Sequence, residues 1–382
     1  MSTEPRPLEG LRVVSLAEQY PGPFATLILG DLGADVIQVE RLDGGDPSRA
    51  FPGFYAALNR GKRSVALDLK SSRGLAACRR LIHTADVLIE GFRPGVMARL
   101  GLCPADLLAS HETLVYVSIS GFGQAGPLRD HPAHDLTFQA LAGLLDSPAD
   151  APVVPALSLA DLCSGVFAAI AALTGLAGRQ RSGHGGHFDV AMFDSLITFM
   201  TSRLGPLLNG QPPDTLGLDP GYGLYPTADR RWISLSIAFE DHFWWALCDV
   251  LGLAQFRDLT AAQRVEQRTA LHAALGNRIA AEPAAFWDAA LTAAKVPYGP
   301  VLPLDQLIDN PNVGARHLVQ SVDTAHGHQL FVRQPIIVDG APLGPRTGTP
   351  ELGEHTQAVL AECGLSRTDI EQLQHSAVSP IY

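Results

Sequence analysis

The chain has 382 residues, 46% of them apolar and 18% charged, with a formal net charge of −11. That surplus of negative charge excludes a surface built for nucleic acid or an anionic membrane unless a local basic patch overrides the field, and the lack of low-complexity runs excludes a disordered tail or linker protein. Length and composition together predict an ordered protein of two unequal domains.

At the start, MSTEPRPLEG has no basic stretch followed by an apolar one and is not read as a secretory signal. The first half then alternates β-branched runs with helix-like stretches, the pattern of a parallel, doubly wound α/β sheet covered by crossover helices. Strands are predicted at residues 11–16, 35–40, 64–69, 86–90, 114–119 and 188–191, and helices at 23–32, 72–82 and 104–109. After the first strand, Pro21-Gly22-Pro23 reads as a tight turn into a helix. Asn59-Arg60-Gly61-Lys62-Arg63-Ser64 sets three cations before a strand, with Arg41 close to another, a density that suits a phosphorylated ligand more than solvated surface charge.

Gly121-Phe122-Gly123-Gln124-Ala125-Gly126 has the spacing GxGxxG after a predicted strand. The residues that follow, Pro127-Leu128-Arg129-Asp130-His131-Pro132, do not open a helix, so the dinucleotide fingerprint lacks its context and a flexible glycine loop is expected. Beyond it, His134-Asp135 and Ser158-Leu159-Ala160-Asp161 are polar clusters beside an apolar segment, 157–176, that reads as a core helix. Near that helix start, the dipole and free N–H groups are expected to favour the charged form of Asp161 or an anion beside it. Spacing alone reads Asp161 more simply as an N-cap.

His184 and His187 stand in a glycine-rich turn, and no cysteine or carboxylate at ligand spacing suggests a metal. Five dispersed cysteines without a CxxC pair fit a reducing cytoplasm, and the longest apolar run, 166–177, is short of the ~20 residues of a spanning helix. No Walker A loop, HExxH or GxSxG occurs.

From about Leu204 the composition turns to glycine and proline, which marks a linker over 204–224 after a large domain of 1–203. A small domain over 225–315 is expected to hold a strand at 232–237, a helix at 241–251 and two more helical stretches. Residues 316–382 then supply a return linker and the last part of the large domain, with strands at 329–332 and 335–338 and a helix near 356–363.

Taken in order, Pro7-Leu8-Glu9-Gly10-Leu11, Leu32-Gly33-Ala34-Asp35-Val36, Asn59 to Ser64, Phe92-Arg93-Pro94-Gly95, the Gly121 loop, Gly183 to Asp189 and Leu352-Gly353-Glu354-His355-Thr356 resemble the family III CoA-transferases. That group holds formyl-CoA and carnitine CoA-transferases and the alpha-methylacyl-CoA racemases. The resemblance implies a Rossmann-like large domain built from both chain ends, a smaller α+β domain between them, and two ring-shaped subunits interlocked as a homodimer. It places the nucleotide of coenzyme A near Arg41, Lys70, Phe92 and Arg99, with no cofactor beyond coenzyme A as co-substrate and no metal.

It also makes Asp161 the catalytic aspartate. In the transferases that carboxylate attacks a donor thioester and carries coenzyme A, through an anhydride and an aspartyl thioester, to a carboxylic acid. In the racemases the aspartate and a histidine work on either side of the α-carbon; His134 matches the histidine and Glu240 an acidic residue that orients it or holds water. Leu162-Cys163-Ser164-Gly165, where racemases carry a glycine run, sets the transferase reading ahead. The expected partners are an acyl-CoA thioester and a free carboxylic acid, with neither nucleic acid nor membrane; the alternative is a 2-methylacyl-CoA racemase.

Overall fold

In the first half, runs of Val, Ile and Leu too continuous for a half-exposed strand form a parallel sheet covered on both faces. The computed structural model describes residues 6–146, 152–212, 216–324 and 327–375; residues 213–215 of the expected linker lie outside these. Its order of elements begins β1 (Arg12–Ser15), α1 (Pro21–Asp31), β2 (Asp35–Glu40), α2 (Pro52–Asn59), β3 (Arg63–Ala66), α3 (Ser72–Ile82), β4 (Val87–Glu90), α4 (Val96–Arg99) and α5 (Pro104–Ser110). β5 (Val115–Ser120), α6 (Asp135–Leu141), α7 (Leu159–Ser182), β6 (Gly186–Ala191) and α8 (Met192–Phe199) follow. The six strands pair in the order β3-β2-β1-β4-β5-β6, all parallel, the order of a doubly wound sheet whose direction of winding reverses between β1 and β4.

The two-residue period of a strand sorts neighbouring side chains onto opposite faces. Val14 and Leu88 pack with Leu81 of α3 and with Val359, Leu360 and Ile370 near the C-terminus, while Val13, Val87 and Ile89 pack with Ala25 and Leu29 of α1 and Ala168 and Ala172 of α7. α7 is long and apolar enough, by length and composition, to cross a bilayer, yet it lies against α1, β5 and β6 as a core helix. Small residues permit that approach: a β-carbon on Gly175 would collide with Val115 and Phe188, and one on Gly165 with Phe24. Gly175→Ala is therefore expected to destabilise the fold by about 1–3 kcal/mol through overpacking, read as a lower urea midpoint; an unchanged midpoint would show that α7 can shift at no cost.

The chain divides into two compact units, one taking the described residues up to Met200 and from Asn312, the other Thr201–Pro311. The second unit holds α9 (Thr201–Leu208), β7 (Tyr222–Pro226), β8 (Trp232–Ser236), α10 (Asp241–Leu251), α11 (Ala261–Glu266), α12 (Arg268–Ile279), α13 (Ala284–Ala293) and β9 (Tyr298–Pro300). Its core of Tyr225, Ile233, Trp244 and Trp287 sits under an antiparallel β7-β8-β9 sheet, and buried Arg264 is held by Asp219 and Asp241, each at 2.9 Å. The linker expected over 204–224 is partly regular: α9 runs through Pro206, and β7 already starts at Tyr222. Leu204, Leu207 and Leu208 sustain a helix in a stretch whose glycine and proline content suggested a linker. Three helices stand where two helical stretches were predicted, because α11 ends at Glu266 and α12 starts afresh at Arg268.

After α14 (Pro311–Ala315), β10 (Val319–Thr324) and β11 (Gly327–Val332) form a hairpin, β12 (Ile337–Val338) and β13 (Ala341–Pro342) a second, and α15 (Thr356–Glu362) and α16 (Arg367–His375) close the described chain. This return segment covers the edge strand β3: His355 N–H donates to the Ser64 carbonyl at 2.9 Å, Gly353 N–H to Ser64 Oγ at 2.9 Å, and Thr356 Oγ1 accepts from Ala66 N–H at 3.0 Å. An edge so covered is closed to pairing with another chain.

Candidate active site

A parallel sheet binds ligands in the crevice beyond its strand C-termini, where the winding reverses. Here the loops after β1 and β4 meet the starts of α6, α7 and α8 around a pocket of about 180 Å³ lined by Glu18, Gln19, Phe92, His134, Asp161 and Met192. The β1 loop is fixed from behind by side chains that each take one backbone group: Gln38 Nε2 donates to the Ala17 carbonyl at 2.6 Å, Asp46 Oδ2 accepts from Gln19 N–H at 3.0 Å, and Lys62 Nζ donates to the Pro23 carbonyl at 3.0 Å. Gln19 is held at φ 69°, a left-handed conformation that costs a non-glycine residue energy and persists only where neighbours enforce it.

Asp161 is the third residue of α7, after the cap position Ser158. Burial, and then the charge of Asp135, push its carboxyl up to about 7. Asp135, the first residue of α6, accepts from the N–H of Ala160 at 2.7 Å and of Asp161 at 3.3 Å on Oδ1, and from Gln139 Nε2 at 2.5 Å on Oδ2. The sequence-based expectation that free N–H groups at the helix start favour the charged form of Asp161 is thus corrected: Asp135 takes those donors and adds a like charge. A carboxyl that titrates near neutrality can serve as nucleophile, base or acid.

The candidate residues fall in several places. His134 caps α6 and lines the same pocket as Asp161. Phe92 lines it too, its N–H donating at 2.9 Å to the buried carboxyl of Glu90, which burial raises to about 7. Arg41 is exposed and pairs at 3.3 Å with Glu18 of the pocket wall. Lys70 is exposed beyond β3, and Arg99 ends α4; neither is among the residues lining this pocket. Glu240 belongs to the second unit, where its carboxylate accepts the N–H groups of Ala238 and Phe239, each at 3.2 Å, at the start of α10. Glu240 stands at the N-cap position, but its side chain holds the two residues before α10 and not the N–H groups of the first turn.

The cation cluster Arg60-Gly61-Lys62-Arg63 does not serve as a phosphate site. Arg60 is buried against Asp31 at 2.8 Å, Lys62 is buried on Asn59 and Pro23, and Arg63 pairs with Asp35 and Glu362. Arg60 and Lys62 precede β3 and Arg63 is its first residue, and all three spend their charge on partners inside the fold. His184 stands 3.5 Å from Glu112, and His187 Nε2 lies 2.9 Å from Ser118 Oγ. Among the described residues no cluster of metal-ligating side chains is present.

Sequence reasoning gave no role to Asp135, although an aspartate at the first position of a helix was a readable signal, nor to Glu18 and Met192, which only the meeting of the β1 loop with the start of α8 brings together.

The sequence profile described as CoA-transferase family III matches residues 8–356. Among curated proteins, a succinate–glutarate CoA-transferase of Agrobacterium fabrum is 34% identical, covering 93% of this chain and 95% of its own. An alpha-methylacyl-CoA racemase of Mus musculus is 33% identical and covers 97% of each chain. Among solved structures, a CAIB/BAIF family protein from Brucella suis is 30% identical with a TM-score of 0.84, covering 94% of this chain and 100% of that one.

Proposed function

This chain belongs to CoA-transferase family III and is an enzyme; from that premise we propose that it moves coenzyme A from an acyl-CoA donor to a carboxylic acid through the carboxylate of Asp161. The observation that carries the proposal is the half-buried Asp161 in a pocket at the switch point of the sheet, with a carboxyl raised to about 7. Desolvation makes an ionised oxygen a better nucleophile toward a thioester, and the same shift leaves about half the carboxyl ionised at neutral pH.

The proposed sequence conserves the thioester. Asp161 Oδ attacks the acyl carbonyl, the C–S bond breaks, and an acyl-aspartyl anhydride and CoA thiolate result. The thiolate attacks the aspartyl carbonyl, releasing the donor acid and leaving coenzyme A on Asp161 as a thioester. The acceptor carboxylate displaces the thiolate from the aspartyl carbonyl to form a second anhydride; the thiolate then attacks the acceptor acyl carbonyl and frees both the new acyl-CoA and Asp161. No cofactor beyond coenzyme A is needed. The succinate–glutarate relative makes a short dicarboxylic acid the acceptor to try first. Two interlocked copies are part of the proposal; exposed Leu136, Leu141, Ile170 and Phe199 on α6, α7 and α8 support an apolar face that a second chain covers.

A second reading, racemisation of a 2-methylacyl-CoA, is favoured by one observation: His134 lines the same pocket as Asp161. Mass spectrometry in D2O with a 2-methylacyl-CoA and a pool of carboxylic acids separates the two. The transferase is expected to make new acyl-CoA species without deuterium; deuterium on the unchanged thioester, with no new species, would establish the racemase. His134→Ala is expected to keep CoA transfer within about tenfold of the parent, whereas a general acid or base contributes ~10²–10⁴-fold, so a loss of that size would move His134 into the chemistry.

A further inference from the structure

The closing motif Leu352-Gly353-Glu354-His355-Thr356 does not line the pocket of Asp161, yet an unbroken line of hydrogen bonds runs from it to that pocket. Gly353 N–H donates to Ser64 Oγ at 2.9 Å, and the same hydroxyl donates to Glu40 Oε1 at 2.6 Å. Glu40 Oε2 accepts the N–H of Asp46 at 3.0 Å, and Asp46 Oδ2 accepts the N–H of Gln19, also at 3.0 Å. Gln19 lines the pocket together with Asp161.

Ser64, Glu40 and Asp46 are each at most 2% exposed, so water does not compete for these contacts. Arg49 adds a second tie: it donates from Nε to Glu40 Oε2 at 2.7 Å, from Nη2 to Oε1 at 2.8 Å, and from Nη1 to the Pro350 carbonyl at 3.3 Å. Burial opposes the charge of Glu40, but the bonds from Arg49, Ser64 and Asp46 outweigh it and hold the carboxyl below its ordinary value. The other oxygen of Asp46 accepts the N–H of Ser48 at 2.8 Å and its hydroxyl at 2.7 Å. Only a glycine fits between the two acids: a β-carbon on Gly45, at φ 67°, would stand 2.7 Å from Glu40 Oε2 and 2.9 Å from the Arg49 side chain.

Gln19 needs such a frame, because its φ of 69° costs energy unless neighbours enforce it. Neither Asp46 nor Glu40 lines the pocket, so neither touches the reacting groups. Small misplacements of a pocket wall are nonetheless expensive in rate. Resting on the reading that this pocket performs the transfer, we infer that Asp46 and Glu40 are positioning residues, through which residues 350–356 of the return segment hold Gln19 in place.

Asp46→Asn keeps an oxygen for Ser48 but turns an amide NH2 toward the N–H of Gln19. It is expected to lower kcat/KM for CoA transfer about tenfold or more. In a chain carrying Gln19→Gly, where the left-handed conformation is free, the same change should cost less than about threefold. No loss in the parent background, or an equal loss in both, would overturn the role given to Asp46. Amide hydrogen exchange read by mass spectrometry needs no turnover and uses Ser64→Ala as a second variant, should Asp46→Asn fail to fold. Exchange is expected to quicken both over 350–356 and in the peptide holding Gln19; a change confined to the return segment would overturn the coupling. A parent enzyme that transfers no coenzyme A would overturn the transferase reading, while the exchange result still decides the coupling.

Discussion

Asp161→Asn is expected to lower CoA transfer by ~10⁴-fold or more, the scale seen when a covalent nucleophile is removed, and at the same time to stabilise the folded chain above neutral pH. The unfolded carboxyl ionises near its ordinary value of about 3.9, the folded one at about 7 because burial and Asp135 oppose its charge. Between those values the folded state holds the proton and the unfolded state does not, so stability falls as pH rises through the window. The amide removes that loss. After allowance for solvent screening, the variant should be more stable than the parent by about 1–3 kcal/mol at pH 8, with the gap closing at pH 4. Urea denaturation at the two pH values checks the stability half and an acyl-CoA exchange assay the catalytic half. Active protein, or a variant less stable at pH 8, would contradict the role given to this side chain.

The second large effect is expected at Asp135, whose carboxylate joins α6 to the start of α7 through Ala160, Asp161 and Gln139. Asp135→Asn keeps the shape but removes the charge, so the carboxyl of Asp161 should titrate lower and the acid limb of the kcat/KM profile should move to lower pH. Activity at the optimum should fall about 10–100-fold because the amide holds the helix start less firmly and small misplacements of a reacting group are costly. Asp135→Ala also leaves the N–H groups of Ala160 and Asp161 without their acceptor, a loss of about 2–4 kcal/mol. An acid limb that stays in place in the asparagine variant would mean that burial alone raises Asp161.

The sheet was legible because strands buried on both faces spell continuous β-branched runs: β2 at Asp35–Glu40 and α3 at Ser72–Ile82 end where the pattern ends. Short helices such as α6, which begins at Asp135 beside two histidines and a proline, have too few turns for a period to show. The site was legible only in part. Residue spacing gave Asp161 a capping position, and the family resemblance singled it out as catalytic. That the charge of Asp135 adds to the burial that raises its carboxyl depends on segments 25 residues apart meeting at one oxygen. Arg60 and Lys62 misled for the opposite reason, since a cation in a sequence carries no sign of whether an Asp31 waits for it inside the fold.

The most direct measurement of the central claim is trapping on the protein itself. The enzyme, given an acyl-CoA without an acceptor acid and then hydroxylamine, should yield a hydroxamate on the peptide that contains Asp161, detected by mass spectrometry, with none formed in Asp161→Asn. Vigorous CoA transfer with no adduct at Asp161, or an adduct on a different side chain, would contradict it.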